Sequence, residues 1–216
     1  MIRIFVLIAV FMNVFVSYSQ IKGVDLKDVM EKTKGDDYKK LYDRYIQNDT
    51  TLTPDEYILI YYGQAFQPDY RPGARHESVR ELNMYLNEKG QSSDFRKVLN
   101  YTLTILKEFP FNIDQIFMTG VAYDKLGIAD SSRLWFFKYE NLLTAVMSSG
   151  DGKSHETAII VTKITDEYSV INAIGLESTN QMIANKDQKL YDVIHVKEND
   201  YGIDKLYFDI ILFFGK

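Results

Sequence analysis

The side chains best suited to ligand recognition lie in and beside a loop with two prolines, residues 67–73. Proline fixes the backbone angle φ and lacks an N–H donor, so Pro68 and Pro72 prevent a helix and stiffen the loop. A tyrosine ring is apolar and carries a polar hydroxyl, which suits contacts with peptides or sugars. The alternative is a loop that only packs over the helices. We hypothesise a binding edge formed by Gln67, Tyr70, Arg71 and Arg75, with Tyr62 on the preceding helix.

Motifs for cofactor and metal chemistry are incomplete in this chain. The Gly-Lys-Ser run at 152–154 resembles the end of a phosphate-binding loop, but that loop needs a glycine where Met147 stands. A Gly-x-Ser-x-Gly nucleophile motif is absent. There is no cysteine, and the three histidines are far apart, so the sequence predicts no metal site and no cofactor. These histidines are His76, His155 and His195.

Acidic pairs are the remaining candidates for acid and base chemistry. Asp36-Asp37 and Asp166-Glu167 stand where helices are expected to begin. The helix dipole favours negative charge at that end, so we interpret these residues as helix-start residues. A hydrolase whose carboxylates come together only through folding stays the alternative function.

Apolar side chains recur with helical spacing in six segments after residue 36. The clearest start is at Thr53, which can cap a helix, with Pro54 in the first turn and Glu56 completing a capping box. The expected helices span residues 36–48, 53–65, 79–89, 93–109, 113–126 and 130–148.

Residues 93–147 carry a weak repeat pattern. Gly120 and Tyr123 keep the spacing of a tetratricopeptide repeat, and Pro110 stands where a preceding repeat would close. Ser132 and Phe136 occupy the places of the small and aromatic residues in the second helix. The segment therefore resembles a degenerate tetratricopeptide hairpin, and an ordinary antiparallel helical bundle is the alternative.

The composition changes after residue 148, where strand-forming residues replace the helical pattern. Strands are expected at 157–162, 179–184, 190–196 and 205–214, with a short helix over 166–174. We predict an α+β fold in which an antiparallel helical layer packs on a small, mostly antiparallel sheet with one short helix. The expected regions are a signal peptide at 1–19, a mobile leader or short helix at 20–35, helical hairpins at 36–148 and an α+β region at 149–216, the last two packed as one unit.

The N-terminus has the pattern of a secretory signal peptide. Arg3 precedes an apolar run at 4–16, and small residues at 17–19 allow cleavage before Gln20. A membrane anchor is the alternative, but a spanning helix needs about 20 apolar residues. No cysteine is present for lipid attachment. The sequence thus predicts a soluble periplasmic or secreted protein that is not an integral membrane protein after cleavage.

The formal net charge of −5 makes the chain a poor partner for polyanions, so we expect no nucleic acid binding. Three motifs are informative: the run at 61–70, the Gly-Asp-Gly-Lys turn at 150–153 followed by 166–168, and the closing strand at 206–209. On these motifs the chain resembles a family of uncharacterised proteins exported by Gram-negative bacteria and described only as a domain of unknown function. The resemblance implies the architecture and no activity.

We therefore expect a non-enzymatic binding or assembly module of the bacterial envelope. Its partner would be another envelope protein, a peptide or a glycan. The alternative is a hydrolase of envelope polymers or glycans with spatially assembled carboxylates.

Overall fold

A computed structural model describes residues 23–90 and 93–214; the predicted signal peptide at 1–19 lies outside them. The helical part contains α1 (Leu26–Lys32), α2 (Asp36–Ile46), α3 (Pro54–Gly63) with a 3-10 turn (Gln64–Phe66), α4 (Ser78–Lys89), α5 (Phe95–Glu108), α6 (Ile113–Lys125) and α7 (Ala129–Met147). The C-terminal part contains β1 (Ile159–Ile160), α8 (Ile164–Ala173), β2 (Ser178–Lys186), β3 (Lys189–Val196), β4 (Lys205–Asp209) and α9 (Ile211–Phe214). The predicted α+β class is confirmed.

Helix α3 begins, and the α6 segment ends, where the local chemistry predicts. The Glu56 amide donates to the Thr53 hydroxyl at 3.2 Å, and the Thr53 amide donates to the Glu56 carboxylate at 2.7 Å, so the capping box of α3 is complete. Gly127 terminates the α6 segment with a left-handed φ of +73°. The leader forms the short helix α1, which Asp25 caps.

Helices α6 and α7 form a tightly packed hairpin. A Cβ atom on Gly120 would lie 3.0 Å from the Phe136 ring, so the ring would have to shift by a few tenths of an ångström to accept a side chain there. The glycine and the aromatic residue of the predicted repeat pattern are thus in contact. This contact is equally compatible with an ordinary bundle, and the tetratricopeptide resemblance stays a prediction.

The sheet has the order β1-β4-β3-β2. Strand β3 is antiparallel to β2 and β4, and β1 is parallel to β4. The prediction of one strand over 205–214 is wrong beyond Asp209. The Asp209 carboxylate accepts a hydrogen bond from the Ile211 amide at 2.9 Å, which starts the helical turn α9 instead of extending the strand.

One large core contains side chains from the helices and from the sheet, including Tyr45, Tyr62, Leu142, Ile194 and Phe208. A smaller core lies between α4, α5 and α6, around Leu82, Val98 and Phe109. Helix α8 packs against α6 and α7. Within residues 23–90 and 93–214, no helix is long and apolar enough to cross a membrane.

Candidate functional site

A groove of about 450 Å³ opens on the helical layer where the large and small cores meet. Helix α2 forms one wall with Tyr38, Tyr42 and neighbouring charged residues. The proline loop and the segment after α5 form the other walls, and Lys163, the residue just before α8, reaches the floor. A cavity of this size is within the range of about 300–1,000 Å³ that is usual for ligand pockets.

The structure brings three of the five sequence-predicted site residues together. Gln67, Tyr70 and Arg71 line the groove. Arg75 is exposed and does not line it. Tyr62 is fully buried in the large core, where its hydroxyl lies 3.0 Å from the carbonyl oxygens of Val146 and Ile160. The predicted binding edge is thus divided between a groove, an outer surface and the core.

The proline loop is fixed to the body of the protein at several points. The Gln67 side-chain amide donates to the Gly63 carbonyl at 3.2 Å, and the Tyr70 hydroxyl donates to the Thr162 carbonyl at 2.5 Å. The Arg71 guanidinium donates to the Glu108 carboxylate at 3.0 Å. These contacts hold the loop against the end of α5 and the segment before α8, so the groove exists before any ligand arrives.

Lys163 lies on the groove floor and was not predicted from the sequence. Its relative exposure is 8%, and its Nζ lies 5.1 Å from the centroid of the Phe109 ring. Across residues 23–90 and 93–214 the Nζ atom makes no hydrogen bond and no ion pair, whereas the Lys163 carbonyl accepts from the Asp166 amide at 3.0 Å. Burial lowers the pKa of Lys163, and nearby Arg71 lowers it further, whereas the Asp166 charge raises it. In the sequence, Lys163 stands out only as the one charged residue in the run 157–165.

A buried hydrogen-bond network supports the segment that carries Lys163. The Tyr61 hydroxyl donates to Asp166 Oδ2 at 2.6 Å and accepts from the Thr162 amide at 3.1 Å. The Thr162 hydroxyl donates to the same Asp166 oxygen at 3.1 Å. Gln64, which lines the groove, donates to the Tyr61 carbonyl at 2.9 Å. Residues distant in the chain thereby fix the geometry of the groove floor.

Asp166 is itself in an unusual environment. It is 1% exposed, and its second oxygen, Oδ1, is buried without a hydrogen-bond partner in the described part of the chain. Burial raises the pKa of Asp166 to about 6, against the opposing effects of Lys163, Tyr61 and Thr162. The sequence placed this residue correctly in the first turn of α8 but gave no indication that it is buried.

The next residue, Glu167, belongs to a second acidic group that faces the sheet. Glu167 is fully buried, and neither of its carboxyl oxygens accepts a hydrogen bond from a donor among the described residues. When it is protonated, its carboxyl donates a hydrogen bond to the neighbouring Asp192. Burial, followed by the charges of Asp192 and Asp166, raises the pKa of Glu167 to about 9. Glu167 is therefore neutral at pH 7. The side-chain amide of Gln181 donates to Asp192, and the Tyr168 hydroxyl donates to Gln181 at 2.5 Å.

None of these buried carboxyls lines the groove. The carboxylates that do line it are Asp43 and Asp69, which are exposed, and Glu108, which is ion-paired with Arg71. In the described ranges, 23–90 and 93–214, no three His, Asp or Glu side chains are arranged to hold a metal ion. The groove can therefore offer aromatic and amide contacts with charged groups of both signs.

The fold and the groove define an α+β protein with a preformed cleft on its helical layer. The sequence model of one family, described as Domain of unknown function (DUF4919), matches residues 25–213, and the chain belongs to that family. The match extends from α1 into α9 and confirms the resemblance to a domain of unknown function. No curated protein and no solved structure matches the chain.

Proposed function

We propose that this protein is a non-enzymatic binding module that acts in the periplasm or outside the cell, and that its groove holds a segment of peptide. The observation that carries the proposal is the preformed groove with a buried, unpaired Lys163 ammonium on its floor. Burying a charge without a partner costs free energy, so such a group indicates that the folded state is built to meet a ligand.

The aromatic residues of the groove favour a peptide over a glycan. Sugar recognition uses open aromatic faces on which a ring can stack. Here the Phe111 ring is stacked on Tyr45 at 4.9 Å and meets the edge of Tyr42 at 5.9 Å. The Phe109 ring has Arg71 and Lys163 within 5.8 and 5.1 Å of its centroid. The rings therefore form apolar walls and contact cations. Such a surface suits a peptide ligand, which has both apolar and charged side chains and a polar backbone.

A hydrolase is the alternative, and the groove gives it little support. A general acid needs a carboxyl that burial keeps protonated near neutral pH, within reach of the substrate. Burial raises the pKa of Asp166 and of Glu167, but both lie beneath the surface and outside the groove lining. The carboxylates that line the groove are exposed or ion-paired. We therefore expect them to act as charges at its rim and not as general acids.

The binding role is tested with a pool of random hexapeptides that are immobilised through an N-terminal biotin. We expect the wild type to bind the pool, and we expect the Gln67→Ala/Arg71→Ala double variant to bind about thirtyfold more weakly, because each residue supplies a contact of about 1 kcal/mol. Arg75→Ala is the matched control, since Arg75 lies outside the groove and its loss leaves binding unchanged.

Two results would contradict the proposal. One is equal binding by the wild type and the double variant, which would place recognition elsewhere on the surface. The other is fragmentation of the peptides, detected by mass spectrometry, which would favour the hydrolase. Export is tested separately: the mature protein recovered from cells is expected to begin at Gln20, whereas an intact Met1 would contradict signal-peptide cleavage.

A further inference from the structure

We propose that the Lys163 end of the groove is a carboxylate subsite, in which the Lys163 ammonium and the Arg71 guanidinium bind one carboxylate of the peptide. This inference rests on the peptide-binding function proposed above and names the chemistry of the ligand. Three observations on the groove floor support the subsite. The charges on the rim indicate which kind of anion it would bind.

The first observation is the missing partner of Lys163. Lys163 is 8% exposed and lines the groove, and its Nζ has neither a hydrogen bond nor an ion pair within the described ranges. Asp166 attracts it electrostatically but does not contact it. Three ammonium N–H donors are therefore available to a group that enters the groove.

The second observation is the position of Arg71 beside the same aromatic ring. Its Cζ lies 5.8 Å from the Phe109 centroid, and the Lys163 Nζ lies 5.1 Å from it. Arg71 uses one nitrogen, Nη2, for its ion pair with Glu108. A guanidinium has five N–H donors, so donors remain for a second acceptor. Two cations held over one ring repel each other, and an anion between them would relieve that repulsion.

The third observation is the direction of α8. Lys163 is the N-cap residue of this helix, and its side chain makes no capping hydrogen bond. The N-terminus of a helix carries partial positive charge, so the helix adds to the field of the two cations. The Asp166 carboxylate lies in the first turn and reduces this effect, but it is committed to Tyr61 and Thr162.

The rim of the groove selects a small anion with a single charge. The exposed rim carries two carboxylates, Asp43 and Asp69, and one ammonium, Lys39. The two carboxylates outnumber the ammonium and disfavour a polyanion, whereas a peptide with one carboxylate can place it on the floor and leave neutral or basic groups near the rim. The carboxylate could come from the C-terminus of a peptide or from an acidic side chain, and both have the same chemistry at the subsite.

The two sources are separated by three pools of N-terminally biotinylated hexapeptides that contain no acidic residue except where stated. The first pool has a C-terminal amide, the second a free C-terminus, and the third an amide and one glutamate at a random position. We expect the wild type to bind one carboxylate-bearing pool about tenfold more tightly than the first pool, as for one charge-assisted contact. The preferred pool identifies the source.

The role of Lys163 is tested by Lys163→Met, which keeps the length of the side chain and removes the charge. This variant is expected to bind all three pools equally, and Lys40→Met, on the exposed face of α2, is expected to keep the preference. Lys163→Gln provides a second uncharged variant if the methionine variant fails to fold, as judged by circular dichroism.

The outcomes separate this inference from the proposed function. Equal binding of the three pools by the wild type would overturn the carboxylate subsite and leave peptide binding intact. A preference that persists in both Lys163 variants would also overturn the subsite. If no pool binds, the peptide-binding function fails, and the subsite fails with it.

Discussion

Two groups near the start of α8, Lys163 and Glu167, face different sides of the segment and show what a perturbed pKa means. Burial shifts both pKa values towards the neutral form. Lys163 lines a groove that is open to solvent and has no partner there. Glu167 is sealed beneath the sheet beside Asp192. Glu167 avoids the cost of burial by keeping its proton, whereas Lys163 can gain a partner from outside.

The comparison indicates that a shifted pKa identifies a binding site only when the group can be reached. On pKa alone, Glu167 would rank above Lys163 as a functional residue. Its carboxyl is fully buried and does not line the groove, so we expect its protonation state to affect folding and not recognition at the groove. Stability measurements on variants of Glu167 and of the residues around the groove can test whether the two groups have these different roles.

The largest expected effect is a fall in stability as the pH rises. The pKa of Glu167 in the folded protein is about 9, above the ordinary value near 4.5, so the folded state holds a proton that the unfolded chain has lost. The free energy of unfolding should therefore decrease between about pH 5 and pH 8, by up to about 1.4 kcal/mol per pH unit. Asp166 adds to the decrease up to about pH 6. Chemical denaturation at a series of pH values measures it.

Glu167→Gln should remove most of this slope, because glutamine has the same shape and cannot ionise. Glu177→Gln is the control, since Glu177 is exposed and ion-paired with Lys197 at 2.5 Å. An unchanged slope in the Glu167 variant would show that this carboxyl is solvated and charged, and the contrast between the two groups would be lost.

The next effect concerns Tyr61, whose hydroxyl connects α3 to the groove floor. Tyr61→Phe leaves Asp166 and the Thr162 amide each short of a partner, so we expect a loss of about 1–3 kcal/mol in the free energy of unfolding. Tyr57→Phe is the matched control one turn earlier in α3, because the Tyr57 hydroxyl makes no hydrogen bond in the described part of the chain. Equal losses in the two variants would contradict a specific role for the network.

Local chemistry explains how much of this molecule was predictable. The capping box at Thr53 and the turn at Gly127 involve neighbours in the chain, and both were predicted. The strand over 205–214 was extended too far because a short apolar run fits either a strand or a helical turn. The hydrogen bond from the Ile211 amide to the Asp209 carboxylate favours the helical turn.

The groove floor could not be predicted, because its contacts join distant residues. Tyr61 and Asp166 are 105 positions apart, and Tyr70 contacts the carbonyl of Thr162 from 92 positions away. The pattern of neighbouring residues in the sequence cannot predict such a long-range contact. The loop residues Gln67, Tyr70 and Arg71 were selected because such residues are unusual in a core, and they do line the groove. Their role in binding stays a prediction. The same selection included Tyr62, which the fold buries away from the groove.

A smaller effect is expected at Tyr70, which fastens the proline loop. Tyr70→Phe removes the hydrogen bond to the Thr162 carbonyl and should lower the free energy of unfolding by about 1 kcal/mol. Amide hydrogen exchange in residues 67–71 should become faster, because the loop opens locally. Tyr42→Phe on the opposite wall is the control, since the Tyr42 hydroxyl has no hydrogen bond within residues 23–90 and 93–214. Unchanged exchange in the Tyr70 variant would show that Arg71 and Gln67 suffice to hold the loop.

The smallest effect on stability is expected at Lys163, where the predicted effect on binding is large. Lys163→Met replaces a desolvated, unpaired cation with an apolar side chain of similar length, so the free energy of unfolding should stay the same or rise by about 1 kcal/mol. A residue kept for folding would show the opposite result. A stability loss of several kcal/mol in this variant would mean that the ammonium stabilises the floor through Asp166. Lys163 would then resemble Glu167, as a buried titratable group with a structural role, instead of contrasting with it.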